Sequence, residues 1–260
     1  MTHTSDPKSR RSAALAASRA RALARSPMQS VWHGMVQSLP FLLVMVPFGL
    51  LFGVVADAAG YDLAQITGFT VLVLAGASQF TAIQLLSDNA PIWLVLLSSL
   101  AVNLRMAMYS ASLVPWLGGA SQPARMAVAY ALVDQTFALS VDYFQNTPQL
   151  RMAQRLGYFT GTAILICGSW MLFSLLGATL GRAIPDTIPL DFAVPITFLA
   201  MIAPALRSLP HAAAAGVAVV MSLLLVGLPA GVGPMIAALL AMLTGAAAEL
   251  RLNRQQGPAA

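Results

Sequence analysis

The sequence predicts an all-α fold, that of a polytopic integral membrane protein, and three observations support this class. Of the 260 residues, 58% are hydrophobic and only 9% are charged, whereas soluble domains carry about 25% charged residues. The apolar runs continue for about 20 residues, the length that a helix needs to cross a bilayer. They lack the strict alternation of apolar and polar residues that marks the strands of a transmembrane barrel.

Turn-forming segments such as "SDNAP" and "LGGASQP" divide the apolar sequence into about eight predicted transmembrane helices, or seven. The predicted helices lie near residues 39–57, 64–86, 92–116, 126–145, 158–180, 190–206, 211–228 and 231–249. The weakest break is "GLPAGVGP", which is consistent with a tight hairpin of the last two helices. The predicted domains are a flexible basic arm (1–35), one transmembrane transport domain (36–250) and a cytoplasmic tail (251–260).

The basic residues predict the orientation. With the N-terminus inside, only Arg125 and Arg182 lie on outer loops. Eleven basic residues lie on inner segments: Lys8, Arg10, Arg11, Arg19, Arg21, Arg25, Arg151, Arg155, Arg207, Arg251 and Arg254. Cytoplasmic loops carry the excess of Lys and Arg, so both termini are expected in the cytoplasm of a prokaryote, with the protein in its plasma (inner) membrane. A transit peptide is the alternative interpretation of the Ala/Arg-rich arm.

Proline and glycine interrupt two of the predicted spans. The first contains Pro40, Pro47, Gly49 and Gly53, and the sixth contains Pro195 and Pro204. Proline removes a backbone hydrogen bond and kinks a helix. Interrupted segments in two halves of a chain point to the binding site of a transporter, although proline is also ordinary in membrane helices. The Gly49/Gly53 spacing allows close packing of helices.

Charged residues inside the membrane indicate the functional region. Arg105 lies near the middle of the third predicted span, where an arginine costs about 2.5–3.5 kcal/mol on insertion scales. Asp134, in the fourth span, is the most central acidic residue and the expected partner. Tyr109 lies four residues after Arg105 and therefore shares its face. The pair belongs either to a substrate or proton path or to a structural ion pair that fixes two helices.

A cluster of small and polar residues occupies the second predicted span, in "LAGASQFTAIQLL". Each unpaired polar group costs several kcal/mol in hydrocarbon, so Ser78 and Gln79 either join helices or line a path for a polar solute. Gly76 would provide a close backbone approach beside them.

Other protein classes are disfavoured. A single cysteine, Cys167, excludes an internal disulfide. His3 and His33 lie outside the predicted spans and His211 lies at the boundary of one, and no phosphate-binding loop or soluble ATPase domain occurs. The sequence therefore predicts no enzyme activity, no cofactor, no metal site and no nucleic-acid partner, and uphill transport would use an ion gradient.

Four segments resemble the AzlC family of branched-chain amino acid permeases: "VPFGLLFG" (46–53), "AGASQF" (75–80), "VNLRMAMYSASL" (102–113) and "DQTF" (134–137). The resemblance runs from about residue 36 to 249. It implies export of leucine, isoleucine, valine or analogues, with a small AzlD-type membrane subunit as partner. The residues that match the family pattern are Pro47, Gly49, Gly76, Ser78, Gln79, Phe80, Asn103, Arg105, Tyr109 and Asp134. Gln135 stands where the family often has Glu, which leaves Asp134 as the central carrier of a proton.

The resulting hypothesis is a secondary exporter of branched-chain or similar neutral amino acids, driven by proton exchange. Arg105 would hold the substrate carboxylate, and Asp134 would hold its ammonium group or a proton. Neutral hydrogen bonds would come from Ser78, Gln79, Asn103 and Tyr109, while Phe80 would receive the apolar side chain. The alternatives are a permease for another small solute, including uptake, and a membrane scaffold that transports nothing.

Overall fold

The structure is a computed structural model that describes residues 19–181, 206, 208–228 and 232–255. The regular secondary structure in these ranges is helical. Pro195 and nearly all of the predicted span 190–206 lie outside the described residues. The described α-helices are α1 (Pro27–Ser38), α2 (Leu42–Ala58), α3 (Leu63–Leu72), α4 (Gly76–Ser87), α5 (Ile92–Leu117), α6 (Gln122–Tyr130), α7 (Asp134–Asn146), α8 (Met152–Gly181), α9 (Leu209–Leu224) and α10 (Val232–Gln255).

Three helical segments of the described part are long and apolar enough to cross a membrane: Pro27–Ala58, Ile92–Leu117 and Met152–Gly181. The helical membrane-protein class is therefore confirmed, while the number of spans stays a prediction. The predicted spans 64–86 and 126–145 each consist of two short helices, because the backbone leaves the helix at residues 73–75 and again at 131–133.

The N-terminal region is more helical than predicted. A capping box of Ser26 and Gln29 starts α1, with Pro27 at its first position, and both features favour helix initiation. The buried residues of α1 are Ser30, Gly34 and Ser38, a small residue every fourth position, which suits close packing against another helix. Residues 27–35 therefore belong to a packed helix. At the other end, α10 continues to Gln255, into the predicted tail.

The chain forms two compact units. Among the described residues, unit 1 contains residues 19–57, 61–76 and 103–181, and unit 2 contains the remainder.

In unit 1, α1 and α2 run beside α8 in the same direction, with their backbones in close approach. A Cβ atom on Gly161 would clash with the carbonyl of Val31, and one on Gly53 would clash with the carbonyl of Ser174. Glycine at these positions lets the helices pack more closely than any other residue would. Gly49 lies on the same interface, where a Cβ would lie 3.1 Å from Phe173 Cβ.

Of the two prolines predicted to interrupt the first span, Pro40 lies at the interruption and Pro47 does not. A 3₁₀ turn at Leu39–Phe41, which contains Pro40, separates α1 from α2. Pro47 lies inside α2, and the helix continues through it. No helix break therefore occurs at Pro47, and the interruption lies one to two turns earlier in the chain.

The segment predicted as the fourth span begins at the same end of unit 1 as α8. Trp116, in the last turn of α5, accepts a hydrogen bond through its carbonyl from Arg155 Nη1 at 2.9 Å. A Cβ on Gly119 would lie 3.5 Å from Met152 Cε, at the first residue of α8. Because α6 begins at Gln122, directly after this turn, it starts beside the N-terminus of α8.

The segment also ends at that end of unit 1. The Phe137 ring in α7 stacks on Tyr109, with ring centroids 4.2 Å apart. One end of α7 therefore lies beside the middle of α5. Farther along α7, Phe144 lies 6.2 Å from Trp116 and 6.2 Å from Tyr158. Residues 134–146 and the C-terminal part of α5 therefore run in the same direction.

Residues 122–146 thus fold back on themselves. The turn between α6 and α7 lies beside the middle of α8, since the Cys167 thiol donates to the Ala131 carbonyl at 3.9 Å. At 1.5 Å per residue, α6 is roughly 14 Å long and α7 roughly 20 Å long, and each is shorter than the 30 Å hydrocarbon core. The predicted single crossing near 126–145 is replaced by two half-helices whose outer ends meet at one end of unit 1.

The same end of unit 1 collects basic residues and the start of the described chain. Gln154 Nε2 donates to the carbonyl of Arg25 at 2.7 Å. Arg25 Nη1 donates to the Tyr143 hydroxyl at 3.1 Å, and Arg19 Nε donates to the Asn146 carbonyl at 3.0 Å. We call this region the basic end; its arginines are Arg19, Arg25, Arg125, Arg151 and Arg155. Arg125 was predicted on the face of the membrane opposite to the other four.

Unit 2 contains two antiparallel helix pairs among its described residues. In the first, α4 packs against the beginning of α5, and the Ser78 hydroxyl donates to the Ser99 carbonyl at 3.2 Å. In the second, α9 packs against α10, where a Cβ on Gly245 would lie 3.2 Å from Ala214 Cβ.

Candidate functional site

An ion pair lies where the fold-back segment turns. Arg105 Nη1, from the middle of α5, lies 3.0 Å from Oδ2 of Asp134, the first residue of α7. About a third of each side chain is exposed, 35% for Arg105 and 39% for Asp134. An ion pair that faced lipid would be costly, so this exposed surface is suited to water, a solute or another protein surface.

The helix break places Asp134 at a helix N-terminus, where the macrodipole and the free backbone N–H groups favour a negative charge. Asp134 is the acidic residue of the first turn of α7. The carboxylate therefore has two sources of electrostatic stabilisation, the peptide dipoles of α7 and the guanidinium of Arg105.

Thr136 provides hydrogen-bond partners for backbone groups that the interruption between α6 and α7 leaves free. Its side chain is fully buried. The Val133 amide donates to Thr136 Oγ1 at 2.9 Å, and the Thr136 hydroxyl donates to the Ala131 carbonyl at 3.0 Å. In a membrane every freed backbone group needs a partner inside the protein, so one threonine makes the interruption tolerable. Sequence reasoning missed this role; the available signal was a threonine two residues after a central aspartate.

Tyr130 links the interruption between α6 and α7 to the interruption between α3 and α4. Its hydroxyl donates to the Val71 carbonyl at 2.6 Å, in the last turn of α3. The interruption at residues 73–75 and the interruption at 131–133 are therefore linked within unit 1. The sequence analysis did not identify Tyr130, because nothing in one sequence indicates that it lies close to Val71.

Two buried polar atoms of the ion pair, Arg105 Nε and Asp134 Oδ1, make no hydrogen bond in the described part of the protein, and the same holds for Asn103 Oδ1, two residues before Arg105 on α5. The three atoms comprise one donor and two acceptors. Buried polar atoms nearly always have partners, so the two free atoms of the ion pair mark a place where a polar ligand or water can bind. Tyr109 lies beside Asp134, close enough for its side chain to interact with the carboxylate.

The residues of "AGASQF" are divided between the two units. Gly76 belongs to unit 1, and a Cβ there would lie 2.8 Å from the Trp170 ring and 3.2 Å from Phe48. Ser78, Gln79 and Phe80 belong to unit 2 and are buried. The Ser78 hydroxyl joins two helices, as described above. The place of these three residues in a solute path stays a prediction.

The described residues contain no group of three or more His, Cys, Asp or Glu side chains that could hold a metal ion.

These features define the class: an α-helical membrane protein with interrupted helices and a polar, charged site at the interruption. Residues 40–184, more than half of the chain, match the model of a protein family described as AzlC protein. The chain belongs to the AzlC family, a family of membrane transporters.

Relatives in three organisms support this membership. The chain is 25% identical to Inner membrane protein YgaZ of Escherichia coli (strain K12) over 176 residues, 65% of this chain and 71% of that protein. It is 28% identical to an uncharacterized membrane protein of Helicobacter pylori over 165 residues, 63% and 70% of the two chains. A third, an uncharacterized membrane protein of Archaeoglobus fulgidus, is 29% identical over 182 residues, 67% and 75%. No solved structure matches the chain.

Proposed function

We propose that the chain is a secondary transporter that exports branched-chain or similar neutral amino acids in exchange for protons. The observation that carries the proposal is the Arg105–Asp134 ion pair at the α6–α7 break, with bonding capacity left on both side chains. The family supports the class of transporter, and the substrate is inferred from the chemistry of the site together with the family resemblance.

A neutral amino acid in its zwitterionic form matches the free atoms of the site. Its carboxylate would accept from Arg105 Nε in a charge-assisted hydrogen bond. Its ammonium group would donate to Asp134 Oδ1, while a role of Asn103 in the solute path stays a prediction. The stacked rings of Tyr109 and Phe137 offer an apolar surface beside the pair for an aliphatic side chain.

Interrupted helices supply the mechanical part of the proposal. In many secondary transporters the substrate binds where discontinuous helices end near the bilayer midplane, with helix N-termini directed at anionic groups. The break before Asp134 and its link to α3 through Tyr130 fit this arrangement. The Asp134 carboxylate would bind the substrate, a proton or Arg105 in turn. Release of the substrate would therefore be coupled to binding of a proton.

The cellular setting follows from charge and family. The basic end would face the cytoplasm of a prokaryotic cell, because arginines collect there, with the protein in the plasma (inner) membrane. A small AzlD-type membrane subunit is the proposed partner, from the family resemblance.

The test is counterflow of labelled valine, leucine and methionine in vesicles that contain the protein, with and without a proton gradient. We expect saturable exchange that a proton gradient accelerates, and its loss in Arg105→Ala and Asp134→Asn at normal protein abundance. Asp142→Asn is the matched control, since this residue is exposed on the same helix, and it should transport normally. Normal transport by both site variants would contradict the assignment of the site.

Two rival functions give different results in the same assay. A permease for another small solute, or an uptake system, would show no exchange of these amino acids or the opposite direction of net flux. A scaffold would show no flux of any solute, in the parent protein as well as in the variants.

A further inference from the structure

A groove lies between α5 and α6 in unit 1, apart from the ion-pair site. Its volume is about 420 Å³. The floor consists of Leu113, Leu117 and Leu132, which are buried. Along its rim lie Val114 and Met126, whose side chains are 60% and 66% exposed. An apolar groove with an exposed apolar rim, on helices of a membrane protein, is suited to a hydrocarbon chain.

One end of the groove is polar and positively charged. Gly118, Gln122 and Arg125 line it there, where α5 ends and α6 begins. Arg125 is the one charged residue among the residues that line the groove. It is exposed, and the described part of the chain gives it no ion pair or hydrogen bond through its side chain. Arg125 belongs to the basic end, and the residues that line the groove include no carboxylate that would repel an anion there.

We propose that this groove binds one anionic phospholipid, with an acyl chain over the leucine floor and the phosphate at Arg125. A guanidinium presents two parallel N–H donors to a phosphate, and basic pockets between transmembrane helices on the cytoplasmic side bind anionic head groups. The surrounding lipid tails are as apolar as the groove, so an acyl chain gains no hydrophobic free energy when it moves from the bilayer into the groove. Selectivity among lipids therefore depends on Arg125, and the groove determines where the lipid lies.

The lipid would contact both α5, which carries Arg105, and α6, which begins the fold-back segment. Its binding therefore stabilises the packing of these two helices against each other. This role is independent of the substrate and of the direction of transport, so it can be tested on the full-length chain without a flux assay.

The experiment is competition between phosphatidylglycerol and phosphatidylcholine of identical acyl chains, at equal amounts, for the purified full-length protein. Retained lipid is counted by native mass spectrometry, and thermal unfolding is followed in parallel. We expect about fivefold preference for phosphatidylglycerol, the order of effect of one basic residue near a membrane surface, and a higher unfolding temperature in that lipid.

Three variants distinguish the contribution of the lipid head group from that of the groove. Arg125→Gln should remove the preference but leave lipid bound, and Ala129→Trp, which fills the groove, should reduce bound lipid of both kinds. Arg151→Gln is the matched control, an exposed arginine of the basic end outside the groove, and should keep the preference. An unchanged preference in Arg125→Gln would overturn the proposal, as would equal loss in Arg151→Gln. Equal protection by inorganic phosphate alone would overturn it as well, because it would indicate a simple anion site.

Discussion

Replacing both charges of the Arg105–Asp134 pair should be less harmful to stability than replacing either one. Arg105→Leu leaves a carboxylate without its cation, and Asp134→Leu leaves a guanidinium without its anion. Breaking a fully buried pair costs about 3–5 kcal/mol. Since about a third of each side chain is exposed, we expect about 2–3 kcal/mol for each single change.

The double variant Arg105→Leu with Asp134→Leu leaves no unpaired charge, so its stability should return to within about 1 kcal/mol of the parent. For a domain of this size each kcal/mol moves the unfolding midpoint by about 2–4 °C. The single variants should therefore lose about 4–12 °C and the double variant much less. Transport should be absent in all three variants. Each single variant removes one charged partner of the substrate, and the double variant removes both.

Thermal unfolding of the purified protein in detergent, followed by size-exclusion chromatography, measures the three midpoints. Arg125 and Asp142 form the matched control, because both are exposed and the described part of the structure gives no ion pair between them, and the effects of side chains that do not interact add. The reasoning is refuted if the double variant loses the sum of the two single losses, since the two charges would then not interact. Transport by the stable double variant would show that the pair is structural only.

Three further predictions concern the backbone. Thr136→Val removes the hydroxyl that bonds the break and should lower stability by about 1–3 kcal/mol, measured by the same unfolding assay, whereas a neutral result would mean that the freed groups find other partners. Gly53→Leu should prevent folding, seen as lost abundance in the membrane, while Gly168→Ala, where the added Cβ meets nothing, should be tolerated. Cysteines at Gly119 and Gln149, in a background without the native cysteine, should react with an impermeant maleimide from the same side of the membrane; labelling from opposite sides would contradict the fold-back of residues 122–146.

Much of the candidate site could be predicted from the sequence. An arginine and an aspartate in apolar segments are costly to leave unpaired, so Asp134 was the expected partner of Arg105, with a water-filled cavity as the alternative. The glycine spacings likewise indicated close helix packing, and the structure contains it at Gly53 and Gly161. Thr136 and Tyr130 could not be predicted, because their roles depend on the position of a break and on a contact 59 residues away.

The sequence by itself determined the class of the protein, since apolar length and scarcity of charge leave only helices in a membrane. It also indicated Asp134 as the expected partner of Arg105, and the structure decided that the two side chains pair directly. Only the tertiary structure decided that residues 122–146 fold back, and hence that Arg125 belongs with the basic end. Hydropathy counts apolar residues, and an apolar segment of about 20 residues has the same count whether it crosses the bilayer or turns in its middle. The difference depends on partners for the freed backbone groups, which Thr136 and Cys167 provide at the turn, and on contacts between distant elements such as Arg155 and Trp116.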